Sequence, residues 1–261
     1  MESQAEITFL GTGTSIGVPV IGCDCAVCTS DDPKNKRLRS SIHVATPEVS
    51  LVVDTGPDFR QQCLREGIRH LDAALFTHAH SDHIMGFDDL RRFTVRNDEQ
   101  LEIYANAECL DRLHAAFHYI FNGENRYHGY LKIVPHPIHG PFAVGDLTIT
   151  PLPVTHGKVE TMGFLFARGE TRLFAYIPDA KVVSEEAKAL LHGIDLLLLD
   201  GLQPEPHWTH LSIDEAVALA GELAAGCTWL THFSCRVDYK TIAPTLPDNV
   251  FLAWDGLRLQ C

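Results

Sequence analysis

The chain alternates short apolar runs with amphipathic stretches, and polar or glycine-bearing segments separate them. Residues 6–10 predict a strand that ends at Gly11-Thr12-Gly13. Residues 40–45 and 49–53 flank Thr46-Pro47-Glu48 and predict a hairpin whose second strand ends at Asp54. A helix is predicted over 58–66, stopped by Gly67, then a strand over 73–76 and a helix from about 83 to 94. A strand over 101–104 precedes a helix over 108–121, whose apolar spacing is Leu110, Leu113, Phe117 and Ile120. In the second half, strands are predicted over 147–154, 163–167 and 172–177, the last two around a turn at Arg168-Gly169-Glu170. A helix over 184–191, a buried strand over 195–199 and a helix over 212–224 follow, the last opened by a Ser212/Glu215 capping box. Short strands over 228–230, 250–254 and 257–259 close the chain. This order predicts an α/β protein with two packed sheets and helices outside them. No linker composition divides the chain, so one domain over 1–261 is expected, and no internal repeat is evident.

Composition narrows the function classes. The 261 residues suit one α/β domain, and 45% hydrophobic residues can fill its core. No apolar run approaches the roughly 20 residues that cross a bilayer. The N-terminus, Met1-Glu2-Ser3-Gln4-Ala5-Glu6, lacks a basic start and an apolar core, so a cytoplasmic protein without a membrane partner is expected. A net charge of −13, from 21 Lys+Arg against 34 Asp+Glu, argues against nucleic acid as a partner. The longest basic run, residues 34–39, could meet one phosphate or be a solvated loop. Fifteen His and eight Cys are present, three of the Cys within six residues. Clustered Cys in such a chain point to metal rather than disulfides.

The densest chemistry is Thr77-His78-Ala79-His80-Ser81-Asp82-His83, directly after the apolar run 73–76. A strand followed by a tight loop converges three imidazoles and a carboxylate, which are ligands for Zn²⁺, Mn²⁺ or Fe²⁺. His156, Asp179 and His232 each follow a predicted strand, where residues distant in sequence can share one sheet edge. Seven such groups exceed the usual four of one zinc and fit two ions with a shared carboxylate. A two-ion site polarises a phosphoryl or acyl oxygen and activates water, so a binuclear metallohydrolase is expected.

The His-x-His-x-Asp-His loop resembles the signature of the metallo-β-lactamase superfamily, and the resemblance runs from Phe9 to about Asp255. It implies a four-layer αββα sandwich. It implies that His78, His80 and His156 hold one ion, that Asp82, His83 and His232 hold the other, and that Asp179 bridges them. Asp54 matches an acidic residue behind the site, expected to orient a ligand histidine.

Cys23, Cys25 and Cys28 supply three thiols that need a fourth ligand, and Cys235 is the best candidate; a Cys₄ shell is a structural zinc site built on a loop at about 22–28. Cys63, Cys109, Cys227 and Cys261 read as ordinary thiols. The stretch from Gly11 through Cys28 resembles the phosphodiesterase subgroup of phosphonate breakdown that opens phosphoribosyl 1,2-cyclic phosphate. In that subgroup a histidine stands where this chain has Cys235, which signals a divergent relative. A protein of pyrroloquinoline quinone biosynthesis is a competing relative, with a less complete histidine loop. The subgroup resemblance also implies a homodimer and aligns His210 with a histidine placed over the site.

The expected reaction is attack of activated water on the phosphorus of a small cyclic phosphodiester or nucleotide. Asp82 helps to hold that water and His210 protonates the leaving oxygen, with His207 as the weaker alternative. Lys158, Arg39 and Ser41 are candidate substrate contacts. His114 and His118 lack a third ligand and read as a helix face; His136 and His139 fall in a Pro-rich loop without a clear signal. A thioesterase, a lactonase, an RNA-processing nuclease or a non-catalytic metabolite carrier are the other classes consistent with these residues. Two active-site ions, Zn or Mn, and one structural Zn are the expected cofactors.

Overall fold

A computed structural model describes residues 5–95, 100–122 and 129–261. The first sheet uses β1 (Glu6–Gly11), β2 (Ser41–Ala45), β3 (Ser50–Val53), β4 (Ala73–Leu75), β5 (Leu101–Ala105) and β6 (Ile133–Pro137). The second uses β7 (Phe142–Val144), β8 (Leu147–His156), β9 (Val159–Arg168), β10 (Thr171–Ile177), β11 (Val182–Val183), β12 (Leu196–Asp200), β13 (Cys227–Thr231) and β14 (Val250–Leu252). The last strand, β15 (Arg258–Gln260), returns to the first sheet. The spatial orders are β15-β1-β2-β3-β4-β5-β6 and β11-β8-β9-β10-β12-β13-β14, with β7 paired to β8.

Strand alternation explains the layers. In β3, Leu51 and Val53 face the second sheet while Val52 packs outward. In β12, Leu196 and Leu198 face the first sheet while Leu197 and Leu199 pack outward. Both faces are covered, so such strands read as continuous apolar runs. Outside the first sheet lie α1 (Phe59–Glu66), α2 (Ser81–Ile84), α3 (Arg91–Val95), α4 (Ala107–Ala116) and α5 (His118–Phe121). Outside the second lie α6 (Glu185–Leu191) and α7 (Ile213–Glu222), and α8 (Tyr239–Ile242) follows β13. The result is the expected four-layer sandwich. Ser184 and Ser212 cap α6 and α7 as the sequence predicts, the latter with the reciprocal Glu215 bond.

Several boundaries differ from expectation. The helix expected over 83–94 is broken into α2, a 3₁₀ turn Phe87–Leu90 and α3. Gly86 sits at the break because its backbone abuts another loop: a Cβ there would lie 2.1 Å from the Gly56 carbonyl oxygen. The helix expected over 108–121 is interrupted at Phe117, whose φ of −121° and ψ of 39° leave the helical region. The Pro-rich segment at 133–137 is a strand, β6, at the edge of its sheet, where prolines are tolerated. His136 therefore lies on a strand, paired with Glu102 and stacked on Tyr104.

Asp255 ties the chain ends together. Its Oδ1 accepts from Thr12 N (2.9 Å) and Thr12 Oγ1 (2.8 Å), and its Oδ2 from Leu38 N (2.9 Å) and Arg65 Nη1 (3.2 Å). Burial nevertheless pushes the carboxyl up to about 6. The folded state thus holds the proton more tightly than the unfolded chain. The stabilisation from this group is complete below about pH 4 and is lost as pH rises through about 6. Asp255→Asn is expected to remove that component, so the wild-type-minus-variant difference in urea stability shrinks as pH rises from 4 to 7. Asp255→Ala, which leaves two backbone donors without an acceptor, is expected to cost about 2–4 kcal/mol.

Candidate metal centre

The site is built on strand ends. β3 and β4 run parallel, as do β10, β12 and β13, and β8 points the same way as β10. Asp54 follows β3, and Thr77 and His78 lie just beyond β4. His156 ends β8, Asp179 follows β10, Asp200 ends β12 and His232 follows β13. Two of these residues, Asp54 (φ 64°) and His232 (φ 63°), take the left-handed conformation that non-glycine residues rarely adopt. Gly56 lets the loop after β3 touch the ligand loop, since a Cβ there would lie 2.0 Å from the Asp82 carbonyl oxygen.

The seven expected ligands converge. His78 Nε2 lies 2.9 Å from His80 Nδ1, which lies 3.3 Å from His156 Nε2. Ligand nitrogens about one zinc, bonded at about 2.0 Å in a tetrahedron, are about 3.3 Å apart. His83 Nε2 lies 3.1 Å from Asp82 Oδ2 and 3.2 Å from Asp179 Oδ2. His232 Nε2 lies 3.1 Å from Asp179 Oδ1 and 3.9 Å from Asp82 Oδ2. Asp179 also lies within 4.8 Å of ligand atoms on His78 and on His156, so it borders both halves of the cluster. His83 Nε2, His232 Nε2 and Asp179 Oδ2 are buried without a hydrogen-bond partner among the described residues. Buried polar atoms aimed at a shared point need a cation, so the donor set fits divalent metal.

The surrounding groups fix which nitrogen faces that point. His83 Nδ1 donates to Asp54 Oδ2 at 2.8 Å, and His156 Nδ1 to the Thr209 carbonyl at 3.0 Å. Thr77 Oγ1 donates to Asp54 Oδ2 (2.8 Å), so it accepts from His78 Nδ1 (3.0 Å). In each case Nδ1 is engaged and Nε2 is the nitrogen turned toward the cluster. Burial pushes the His78, His80 and His156 imidazoles down, toward the neutral form that binds metal. Burial opposes ionisation of Asp82 and Asp179, but His83 and His232 outweigh it and hold both carboxyls below the usual range.

His210 and Asp200 form the roof. His210 Nδ1 lies 2.8 Å from Asp200 Oδ2, which also accepts from Ala180 N at 3.0 Å. The His210 ring stacks on His232 at 4.7 Å and meets His156 edge-on at 4.5 Å. His210 Nδ1 also lies 3.8 Å from Asp179 Oδ1, but it is already engaged by Asp200, which argues against a ligand role. Burial pushes Asp200 up and His210 down.

The four thiols of Cys23, Cys25, Cys28 and Cys235 also meet, with all sulfurs within 4.8 Å of one another. Backbone amides of Cys28 and Val20 donate to the sulfurs of Cys25 (3.4 Å) and Cys28 (3.2 Å). The first of these bonds draws the Cys25 thiol down to about 7, while burial pushes Cys28 up to about 12. A Cys₄ tetrahedron fits this cluster.

The chain matches the Beta-lactamase superfamily domain over residues 50–233. It belongs to that superfamily. Among solved structures, a diphosphatase from the PhnP family has a TM-score of 0.89 at 38% identity, covering 98% of this chain and 97% of that one. An octanoyltransferase of Porphyromonas gingivalis is 37% identical over 255 residues, covering 96% of this chain and 50% of that protein. The chain therefore spans about half the length of that relative. A coenzyme PQQ synthesis protein B of Xanthomonas oryzae is 28% identical, covering 94% of this chain and 86% of that one. These matches bear out the superfamily and the sandwich inferred from the histidine loop, and the PhnP-family match agrees with the resemblance of the N-terminal segment.

Of the expected substrate contacts, Ser41 is corrected by its burial, and Arg39 is engaged within the protein. Arg39 Nη1 is held by both oxygens of Asp58 (3.0 and 3.1 Å), and its Nε donates to the Ser15 carbonyl. Ser41 is fully buried and donates to the Asp54 carbonyl at 2.9 Å, so it supports the strand end rather than facing substrate. Lys158 is exposed on the turn after His156 and stays available. His207 Nδ1 accepts from Thr209 N at 3.3 Å, which directs that nitrogen to the backbone. His114 and His118 are exposed on α4 and α5. Asp200 and Thr77 were missed by sequence reasoning. The signal for Asp200 was its place at the end of Leu196-Leu197-Leu198-Leu199, the same strand-end position that marked Asp54 and Asp179.

Metal analysis by mass spectrometry tests the two clusters separately. Cys25→Ser is expected to remove about one metal equivalent and to leave those held by His and Asp. His78→Ala is expected to lower the metal content while leaving the thiol-bound equivalent in place. Loss of all metal in either variant would show that the clusters are not independent sites.

Proposed function

We propose that the chain is a binuclear metal-dependent phosphodiesterase acting on a small phosphodiester, cyclic or nucleotide in kind, with Zn or Mn at the His/Asp cluster and a structural Zn at the thiols. The observation that carries this reading is the Asp200–His210 pair set over the ligand cluster. Two divalent ions, when bound, would polarise a phosphoryl oxygen and lower the pKa of water. The first ion would be held by His78, His80 and His156, the second by Asp82, His83 and His232, and Asp179 would be shared.

The chain's own residues supply the rest. Asp82, kept ionised by His83 and His232, can accept a hydrogen bond from the attacking water. With Nδ1 engaged by Asp200, His210 Nε2 is the ring nitrogen left to hand a proton to a leaving oxygen. Asp54 and the Thr209 carbonyl keep His83 and His156 aimed through the reaction. Exposed Lys158, two residues after His156, would meet a substrate phosphate oxygen. The 38% identity to a PhnP-family diphosphatase, matched over nearly the whole of both chains, supports phosphoryl chemistry.

A second reading, a non-catalytic carrier, is favoured by the 28% identity to the PQQ synthesis protein. Turnover separates the two. The metal-loaded chain is expected to hydrolyse bis-p-nitrophenyl phosphate faster than p-nitrophenyl thioesters or lactones, and Asp179→Ala to abolish this. His210→Ala is expected to lower kcat by roughly 10²–10⁴ at unchanged metal content. Binding of small metabolites without hydrolysis of any of these would favour the carrier, and faster thioester or lactone cleavage would move the activity to acyl groups.

A further inference from the structure

Between α1 and α3, in the helical layer outside the first sheet, lies a groove of about 600 Å³. Phe59, Cys63, Leu64, Ile68 and Phe93 give it an apolar lining. Arg60, Arg69, Arg91 and Arg92 line it as well, beside Asp89. Local spacing builds this mixture. On α1, Phe59 and Cys63 are one turn apart and buried, while Arg60 and Leu64 each follow one residue later on the outer side. The next helix opens Arg91-Arg92-Phe93, and the Phe93 ring meets the Phe59 ring at 6.2 Å. Ile68 and Arg69 follow the left-handed Gly67 that ends α1.

Two properties set this groove apart. The first is apolar continuity. Ile68 and Phe93 are half-buried at the margin of the outer core, and Leu64 beside them is 66% exposed. The second is charge. The chain has a net charge of −13, yet four guanidinium groups gather here. Elsewhere arginines are engaged within the protein, Arg37 by carbonyls, Arg39 by Asp58 and Arg65 by Asp255. In the groove Arg91 reaches Asp88 at 3.2 Å, but the side chains of Arg60, Arg69 and Arg92 make no hydrogen bond or ion pair among the described residues.

These properties select an occupant. The volume falls within the roughly 300–1,000 Å³ of small-molecule sites. Apolar walls suit a hydrocarbon tail, and unpaired guanidinium groups suit a carboxylate or phosphate head. A second copy on a two-fold axis would set arginines against arginines. Membrane surfaces take protruding apolar faces, whereas Phe59 and Cys63 lie at the bottom of a recess. Covalent capture is disfavoured, because burial and then Asp89 push the Cys63 thiol up to about 12 and leave it protonated.

We propose that this groove binds a small anionic amphiphile, an acyl or alkyl chain carrying a carboxylate or phosphate, with its tail against Leu64, Ile68 and Phe93 and its head held by the arginines. The groove belongs to the helical layer rather than to the strand ends that carry the His/Asp cluster, so the proposal does not rest on the phosphodiesterase reading.

The test is calorimetry on the metal-loaded full chain with decanoate, decyl phosphate and decanol, each kept monomeric. The two anions are expected to bind at least about tenfold more tightly than decanol, the step that one charge-assisted hydrogen bond supplies. The double variant Arg60→Gln/Arg92→Gln, at exposed positions, is expected to remove that preference and to leave decanol binding unchanged. Leu64→Gln, also at an exposed position, is expected to weaken all three ligands about threefold. Absence of anion binding, or equal affinity for decanoate and decanol, would overturn the proposal. So would anion binding unchanged in the arginine variant, which would place the head elsewhere, the metal centre included. Binding to phosphatidylglycerol vesicles without binding of the monomeric anions would assign the arginines to a membrane surface instead. A dimer that Leu64→Gln dissociates in sedimentation would assign the groove to a second copy and would equally contradict the proposal.

Discussion

A crowded set of imidazole nitrogens and carboxylate oxygens, several of them buried without a partner among the described residues, sets the terms for the rest of this structure. His78, His80 and His156 aim ring nitrogens at each other at 2.9–3.3 Å. His83 and His232 aim theirs at Asp179, and several of these atoms have no hydrogen-bond donor of their own. Desolvated imidazoles and carboxylates at such spacings are costly unless cations lie between them. The left-handed backbone at Asp54 and His232 fits the same picture, since local strain is retained where it fixes a ligand's direction.

A second constraint couples the N-terminal loop to the centre. Arg37 is fully buried, and its guanidinium donates to the carbonyls of Ser234 (3.2 Å) and Val237 (2.7 Å) on the loop that carries Cys235. Phe233, beside His232, donates to the Thr12 carbonyl and accepts from Thr14 N. The thiol cluster closes this seam by placing Cys235 against Cys23, Cys25 and Cys28. A metal at the thiols would thus act on catalysis indirectly, by holding the His232 loop against the first sheet.

The layers and the His/Asp cluster were legible because both rest on local signals. Apolar runs of strand length mark buried strands, and a His or Asp just past such a run lands on a common edge whatever its distance in sequence. Contacts that depend on distant partners were not legible. Arg39 reads as a free cation in sequence, and only the fold shows Asp58 beneath it. Ser41 reads as a polar residue near the site, yet its partner is the Asp54 carbonyl across the sheet. Asp200 carried the same strand-end signal after four leucines, but its partner His210 lies on a separate loop that only the fold brings to it. The helix break at Gly86 follows from a backbone contact with Gly56, which no periodicity encodes.

Anomalous diffraction from crystals of the metal-loaded chain tests the central claim most directly. The account predicts two peaks about 3.5–4 Å apart, one against His78, His80 and His156 and the other against Asp82, His83 and His232. Asp179 should lie between them, with a separate peak inside the four cysteines. A single peak in the His/Asp cluster, or a pair not bridged by Asp179, would contradict it.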